Sequence, residues 1–276
     1  MTLSITPLSP ALGAEVSAPD LRKLSAADAA ALHEAWLNYH VLVVRNGTVL
    51  GDDDLVAFGQ CFGHVEKARK MSPLASRPEI MVISNIRENG ETIGSLPDGE
   101  LAWHYDRMHQ KIPNKAGVLH AIETPARGGE TRFANMCLAY ETLPLPTRER
   151  IETLMALNTY EYGSTTAQAK QLSESTPSAV HPIVRRLPET GQKALYVCRL
   201  MTDRIMELPD DSSQELLTEL CDHAEQQQFV IEHHWTPGDV LIWDNRCVIH
   251  SRNDFDAGER RLLKRVAVGD DVPPQH

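Results

Sequence analysis

The chain has 276 residues, a net charge of −11 and 42 % hydrophobic residues, which is enough for one domain with a substantial core. Because surfaces that bind nucleic acid are normally basic, the acidic balance argues against a nucleic-acid partner. The sequence has no apolar run of about 18 residues, so no transmembrane helix is expected, and its first residues do not resemble a signal peptide. Five scattered cysteines without a Cys-x-x-Cys pair indicate neither a disulfide framework nor a zinc site and favour a reducing cytoplasm.

The first third of the chain is predicted to contain two helices and a strand. Ser25 and Asp28 have the spacing of a capping box, and the residues that follow have a helical apolar period. Residues 41–44 predict a strand that ends at the turn pair Asn46-Gly47. Apolar residues between 55 and 62 predict a second short helix that stops at Gly63.

From residue 80 the pattern is mainly that of β-structure. Seven further strands are predicted: 80–84, 117–122, 194–197, 229–232, 240–243, 247–250 and 262–268. Two helices interrupt them, at about 147–158 and 212–226. Many short strands with few helices favour a β-sandwich or jelly roll, here as a single domain over residues 1–276.

One short motif and one distant histidine form a candidate metal site. His104 and Asp106 are two residues apart, so on an extended strand both side chains leave the same face. His250 ends a hydrophobic run far downstream. Two imidazoles and one carboxylate are the ligands of the non-haem Fe(II) facial triad, which leaves positions open for substrate and O2.

Two arginines follow the distant histidine. Arg261 and Arg265 are predicted to point to one face of the last strand, while Arg260 and Lys264 point to the other. A guanidinium can hold a carboxylate through two parallel hydrogen bonds. The combination of triad and arginine therefore predicts an oxygenase that uses Fe(II) and 2-oxoglutarate.

Several separate motifs resemble one known family. Segments 103–106, 125–133, 181–184, 235–239 and 243–246, with the Arg261 and Arg265 pair, occur in the order found in the taurine dioxygenase/2,4-dichlorophenoxyacetate dioxygenase family. Segments 12–16 and 58–63 look similar too, so the resemblance covers nearly the whole chain. It implies a double-stranded β-helix, or jelly roll of the cupin kind, with helices packed outside.

The resemblance also implies roles for individual residues. His104, Asp106 and His250 would bind iron, Thr131 and Arg261 would bind 2-oxoglutarate, and Arg265 would lie near the primary substrate. Four further residues occupy segments that border the substrate mouth in the family, namely Lys67, Arg69, Arg107 and His109. The implied reaction hydroxylates a small, anionic organic substrate and releases succinate and CO2. Members of the family often form dimers or tetramers.

The sequence departs from the family around the substrate. Residues 107–110 are bulkier and more polar than expected for sulfonate or aryloxyacetate enzymes, and residues 64–70 do not match the taurine-type pattern. The substrate's identity therefore does not follow from the sequence. Two alternatives to the oxygenase remain: a cupin-like metal enzyme that does not use 2-oxoglutarate, and a binding protein on the same fold that has lost catalysis.

Overall fold

The computed structural model describes residues 3–17, 20–45, 49–68, 73–74, 76–96, 99–160, 165 and 175–276. Its helices are α1 Ala26–Tyr39, α2 Asp52–Gln60, α3 Met136–Thr142, α4 Leu145–Ile151 and α5 Asp210–Ala224, with short 3-10 turns at Leu21–Lys23 and Gln227–Phe229. The strands of the first half are β1 Ser4–Pro7, β2 Ala14–Ser17, β3 Val41–Arg45, β4 Val65–Glu66, β5 Pro73–Leu74, β6 Arg77–Ser84, β7 Arg87–Glu88, β8 Glu91–Thr92, β9 Leu101–His104, β10 Ala116–Glu123 and β11 Thr131–Asn135. Those of the second half are β12 Met155–Thr159, β13 Ser178–Pro182, β14 Val184–Arg186, β15 Lys193–Leu195, β16 Thr202–Ile205, β17 Val230–His233, β18 Asp239–Asp244, β19 Val248–Arg252 and β20 Leu262–Val268.

A large sheet forms one wall of the molecule. In the described part of the chain its order is β1-β2-β3-β18-β10-β20-β6-β5, with β4 added beside β20. Successive side chains of a strand face opposite sides, and this divides the core. Val41 and Val43 point to the interior between the sheets, whereas Leu42 and Val44 point outward and pack with Trp36 of α1.

A smaller sheet forms the facing wall, with the order β17-β11-β19-β9 among the described residues. Phe133 of this sheet shares one buried cluster with Met81 and Leu119 of the large sheet. Two packed sheets with helices on the outside form the double-stranded β-helix, so the predicted fold class is confirmed. The last strand, β20, lies inside the large sheet, between β10 and β6.

The predicted N-terminal helices are present. Ser25 Oγ accepts the backbone N–H of Asp28, and the Asp28 carboxylate accepts the backbone N–H of Ser25, so the capping box opens α1 as predicted. The second helix, α2, ends at Gln60, three residues before the predicted stop at Gly63. The predicted turn at Asn46-Gly47 lies outside the described residues.

The prediction of a helix over 147–158 is wrong in its second half. Helix α4 ends at Ile151, and Met155–Thr159 forms strand β12 between β13 and β16. Pairing with two distant strands decides the conformation here, and local sequence does not encode that pairing. The helix predicted at 212–226 is confirmed as α5. In the portion of the chain that is described, no helix is both long enough and apolar enough to cross a membrane.

Candidate active site

The space between the two sheets contains a cavity of about 150 Å³. The large sheet contributes Met81, Leu119 and Arg265, and the smaller sheet contributes His104, Thr131 and His250. Jelly rolls enclose ligands in this position. The sequence motifs separated by more than a hundred residues therefore meet in one cavity.

The three residues predicted to bind metal form a cluster. His104 ends β9 and lies directly opposite His250 of β19 in the register, and the two ring centroids are 4.1 Å apart. Asp106 Oδ2 lies 3.8 Å from His250 Nε2. Ligand atoms of all three residues lie within 4.8 Å of one another, so two imidazoles and one carboxylate converge as a facial set requires.

Protonation states in the cluster suit a divalent cation. Burial lowers the pKa of His104 and lowers that of His250 even further, so both rings are neutral at neutral pH. His104 Nδ1 is 2.8 Å from the carbonyl oxygen of Ala102; a proton on Nδ1 leaves Nε2 free as a ligand atom. Burial acts to raise the pKa of Asp106, but Arg265 and the two imidazoles outweigh it and lower the value to about 2.

Asp106 does not lie on a strand, contrary to the geometry assumed from the His-x-Asp spacing. Strand β9 ends at His104, and a turn carries Asp106. The side chain of Asn245 fixes this turn, because its Oδ1 accepts the N–H of Asp106 at 2.8 Å and its Nδ2 donates to the carbonyl of Asp106 at 3.0 Å. Asn245 thus orients the backbone that carries Asp106, whereas the Asp244 carboxylate pairs with Arg246.

His181 supports the residues that follow the metal motif. Its Nε2 lies 2.9 Å from the carbonyl oxygens of both Met108 and Gln110. These contacts hold the segment that forms one side of the cavity, so the role of His181 is structural. His233 and His234 point to opposite sides: His233 is buried beside Asp239, and His234 is exposed.

Arg261 is a buried cation that lines the cavity. It is 3 % exposed, and no acidic side chain of the described residues pairs with it. Its buried Nε has no hydrogen-bond partner. Burial, and after it the charge of Arg252, lowers the pKa of Arg261. An interior charge without a counter-ion is unfavourable, so this position is suited to an anionic ligand.

Thr131 begins β11 and lines the same cavity. It is 4 % exposed, and its Oγ1 accepts a hydrogen bond of 3.0 Å from Trp235 Nε1. Sequence reasoning assigned no role to Trp235. Its position two residues after buried His233 was the available signal, because alternate residues of an extended segment share a face. The Trp235 contact leaves the Thr131 hydroxyl proton free to donate to a ligand in the cavity.

The five residues predicted near the substrate have different surroundings. Arg265, Arg107 and His109 line the cavity, whereas Lys67 is exposed and is not among the described residues that line it. Arg69 lies outside the described residues. The structure therefore offers no support for Lys67 as a substrate contact.

Both cations on the substrate side already have carboxylate partners. Arg265 Nη2 donates to Asp106 Oδ2 at 2.5 Å, and Arg107 pairs with Glu66. Asp106 thus already provides Arg265 with an anionic partner inside the protein. The other terminal nitrogen of Arg265, Nη1, contacts the Met81 sulfur at 3.9 Å.

An unpredicted carboxylate also faces the cavity. Glu79 lies on β6 and lines the cavity with Met81 and Ile83, which follow at alternate positions. Its Oε2 is buried without a hydrogen-bond partner. Strand alternation from the predicted strand 80–84 was the signal that would have identified it.

Comparisons with known proteins agree with this geometry. Residues 4–267 match the sequence model of the family described as "Taurine catabolism dioxygenase TauD, TfdA family". Pentalenolactone F synthase of Streptomyces arenae is 33 % identical, over 96 % of this chain and 94 % of its own length. Alpha-ketoglutarate-dependent 2,4-dichlorophenoxyacetate dioxygenase of Cupriavidus pinatubonensis is 30 % identical, over 99 % of each chain. Alpha-ketoglutarate is another name for 2-oxoglutarate.

Comparison with solved structures points to the same family. A taurine dioxygenase from Burkholderia xenovorans superposes with a TM-score of 0.83 at 28 % identity, over 98 % of this chain and 92 % of the other. The structure of AAD-2 in complex with Mn(II) and N-oxalylglycine superposes with a TM-score of 0.82 at 28 % identity, over 100 % of both chains. Fold and site together define a dioxygenase that depends on 2-oxoglutarate. The chain belongs to the TauD/TfdA family.

Proposed function

We propose that this protein is an Fe(II)- and 2-oxoglutarate-dependent dioxygenase that hydroxylates a small organic acid and releases succinate and CO2. The observation that carries the proposal is Arg261, a buried guanidinium without an acidic partner among the described residues, in the same cavity as the His104, Asp106 and His250 cluster. A dicarboxylate bound between the cluster and Arg261 would coordinate a metal ion held by the cluster and would provide a counter-ion for Arg261.

The donor set fits Fe(II). Two neutral imidazoles and an ionised carboxylate have borderline and hard donor atoms, and they would hold the ion from one side, which leaves the other side for ligands. The bound ion would supply the oxidation chemistry, using O2 as the co-reactant. His104 and His250 are fixed by strand pairing, and Asn245 fixes the backbone of Asp106, so the chain holds its three ligands in place before the ion binds.

The proposed cosubstrate contacts follow from the same cavity. Arg261 would hold the distal carboxylate of 2-oxoglutarate through two N–H donors. The hydroxyl of Thr131 would donate a third hydrogen bond to the same carboxylate. Trp235 orients Thr131. The relatives named for alpha-ketoglutarate support this assignment, as does AAD-2 with N-oxalylglycine, a molecule in which an N–H replaces one CH2 of 2-oxoglutarate.

An acidic substrate is supported by Arg265 and by the names of relatives. Arg265 Nη2 holds Asp106, while Nη1 contacts the Met81 sulfur, so the guanidinium can bridge Asp106 and a substrate anion. Relatives are named for phenoxypropionate and 2,4-dichlorophenoxyacetate, which are acids. The unpartnered oxygen of Glu79 adds a hydrogen-bond acceptor on the same side. We therefore infer a substrate with an anionic group and, elsewhere, a hydrogen-bond donor such as a hydroxyl.

The test is a panel of small acids scored by succinate formation with Fe(II), 2-oxoglutarate and O2. Each acid is paired with its neutral amide, and hydroxylated acids are paired with their deoxy analogues. We expect acids to stimulate succinate formation above the substrate-free background more than their amides do. A cupin-like enzyme that does not use 2-oxoglutarate, or an inactive binding protein, would form no succinate with any member of the panel.

A dimeric or tetrameric state stays a prediction.

A further inference from the structure

A second cluster of potential metal ligands lies outside the cavity. His40 follows the last residue of α1, Cys137 lies in α3, and Cys247 immediately precedes β19. Their ligand atoms lie within 4.8 Å of one another. The three residues are 4 %, 2 % and 0 % exposed, respectively, and none of them lines the active-site cavity. The 2-oxoglutarate reaction has no use for them.

The geometry of the cluster is close to that of a zinc site. His40 Nδ1 lies 3.4 Å from Cys247 Sγ. Bonds of about 2.1 Å to nitrogen and 2.3 Å to sulfur in a tetrahedral site separate the two ligand atoms by roughly 3.5 Å. The carbonyl oxygen of Asp244 lies 4.0 Å from the same sulfur and would be a candidate for the fourth ligand of the proposed site.

The backbone of His40 is a second, independent observation. His40 has a φ of 63° and caps α1 in the left-handed conformation. Glycine is the residue favoured at such a helix end, and other residues adopt this conformation at a cost in free energy. The conformation directs the imidazole of His40 inward, onto the sulfur of Cys247. A role for the ring would explain why a histidine occupies this position.

Charge balance favours one metal over others. Thiolate and imidazole ligands select zinc or Cu(I). In a fully enclosed site, net charge is costly, and two thiolates with Zn²⁺ are neutral, whereas two thiolates with Cu⁺ carry one negative charge. We propose that His40, Cys137 and Cys247 form a structural zinc site. Cysteine binds zinc as the thiolate, so zinc binding would release the thiol protons and strengthen as the pH rises.

The proposed site would join three parts of the fold. It links the end of α1, the start of α3 and the turn before β19, the strand that carries His250. The backbone N–H of Met136 already donates to the carbonyl of Cys247 at 2.9 Å. Zinc would thus brace the segment from which one proposed iron ligand extends, without contacting the cavity.

The test begins with zinc content. Protein is produced in zinc-supplemented medium and dialysed against EDTA, which removes metal from the open cavity, and zinc per chain is measured by elemental mass spectrometry. We expect about one zinc per chain to remain in the wild type and in Asp106→Ala, because the proposed site is enclosed. Cys137→Ala and Cys247→Ala should lose it. Cys221→Ala is the matched control, since Cys221 is a buried thiol in α5 outside the cluster, and it should retain the zinc.

A second measurement uses the wild type alone and therefore decides the question even if the cysteine variants fail to fold. Protein produced with cobalt in place of zinc should show a thiolate-to-cobalt charge-transfer band in the near ultraviolet after EDTA dialysis. The iron-site ligands contain no sulfur and cannot give this band. Absence of the band, retention of zinc in both cysteine variants, or a disulfide between Cys137 and Cys247 would each overturn the proposal.

Discussion

Replacement of Arg261 by methionine tests the proposed cosubstrate site most directly. Methionine keeps much of the side-chain volume but removes the charge and the hydrogen-bond donors. Loss of a charge-assisted, two-donor contact in a buried site costs about 2–4 kcal/mol, which corresponds to roughly 30- to 1000-fold weaker binding of 2-oxoglutarate. We expect the KM for 2-oxoglutarate to rise by that factor.

The stability of the ligand-free protein should change in the opposite direction. Arg261 is buried without an acidic partner among the described residues, so its removal eliminates an uncompensated interior cation. The Tm of ligand-free Arg261→Met should therefore equal or exceed that of the wild type. In the wild type, 2-oxoglutarate at a hundredfold excess over its Kd should add about 2.7 kcal/mol, or roughly 5–10 °C in Tm. The variant should lose most of this rise at the same concentration.

Arg260→Met is the matched control. Arg260 is the neighbouring residue, exposed and paired with Glu123 at 2.7 Å, so its replacement should change neither the KM nor the ligand-induced rise in Tm. Calorimetric binding of 2-oxoglutarate to the Fe(II)-loaded proteins provides a third readout. If Arg261→Met bound 2-oxoglutarate as the wild type does, the assignment of Arg261 as the carboxylate anchor would be refuted.

Three further predictions concern the metal and substrate sides of the cavity. Asp106→Ala should abolish substrate-dependent succinate formation, because it removes the only anionic ligand of the cluster; wild-type turnover in metal-controlled buffer would disprove the triad. Asn245→Ala should weaken Fe(II) binding by about 10- to 100-fold, as loss of ligand-supporting hydrogen bonds does, and an unchanged Kd in a metal titration would show that the Asp106 turn needs no such support. Arg265→Ala should remove stimulation by an acidic substrate while the Kd for 2-oxoglutarate of the Fe(II)-loaded protein stays close to that of the wild type; an effect on 2-oxoglutarate affinity as large as that of Arg261→Met would contradict separate roles for Arg261 and Arg265.

The sequence predicted those features that depend on local pattern. The strand predicted at 262–268 is β20 with the same bounds, and the β-branched residues Val266 and Val268 at alternate positions favour a strand there. The same alternation placed Arg261 and Arg265 on the cavity side and Arg260 outside. The capping box at Ser25 is likewise encoded within four residues.

Features that depend on distant partners were not predictable. Strand β12 exists because Met155–Thr159 pairs with β13 and β16, and nothing within 147–158 specifies those partners. The partner of Arg265 is Asp106, 159 positions away along the chain. The cysteine spacing gave no sign of a metal site, since Cys137 and Cys247 approach each other only through the packing of α3 against the turn before β19.

The position of β20 inside the large sheet also constrains how the protein is made. Synthesis proceeds from the N-terminus, yet β6 and β10 receive their shared neighbour only when residues 262–268 have emerged. Until then both strands present unpaired N–H and C=O groups, which are templates for pairing with other chains. The large sheet is therefore complete only after residues 262–268 have emerged, and a chain that stops before residue 262 would keep two hydrophobic edges open and would tend to aggregate.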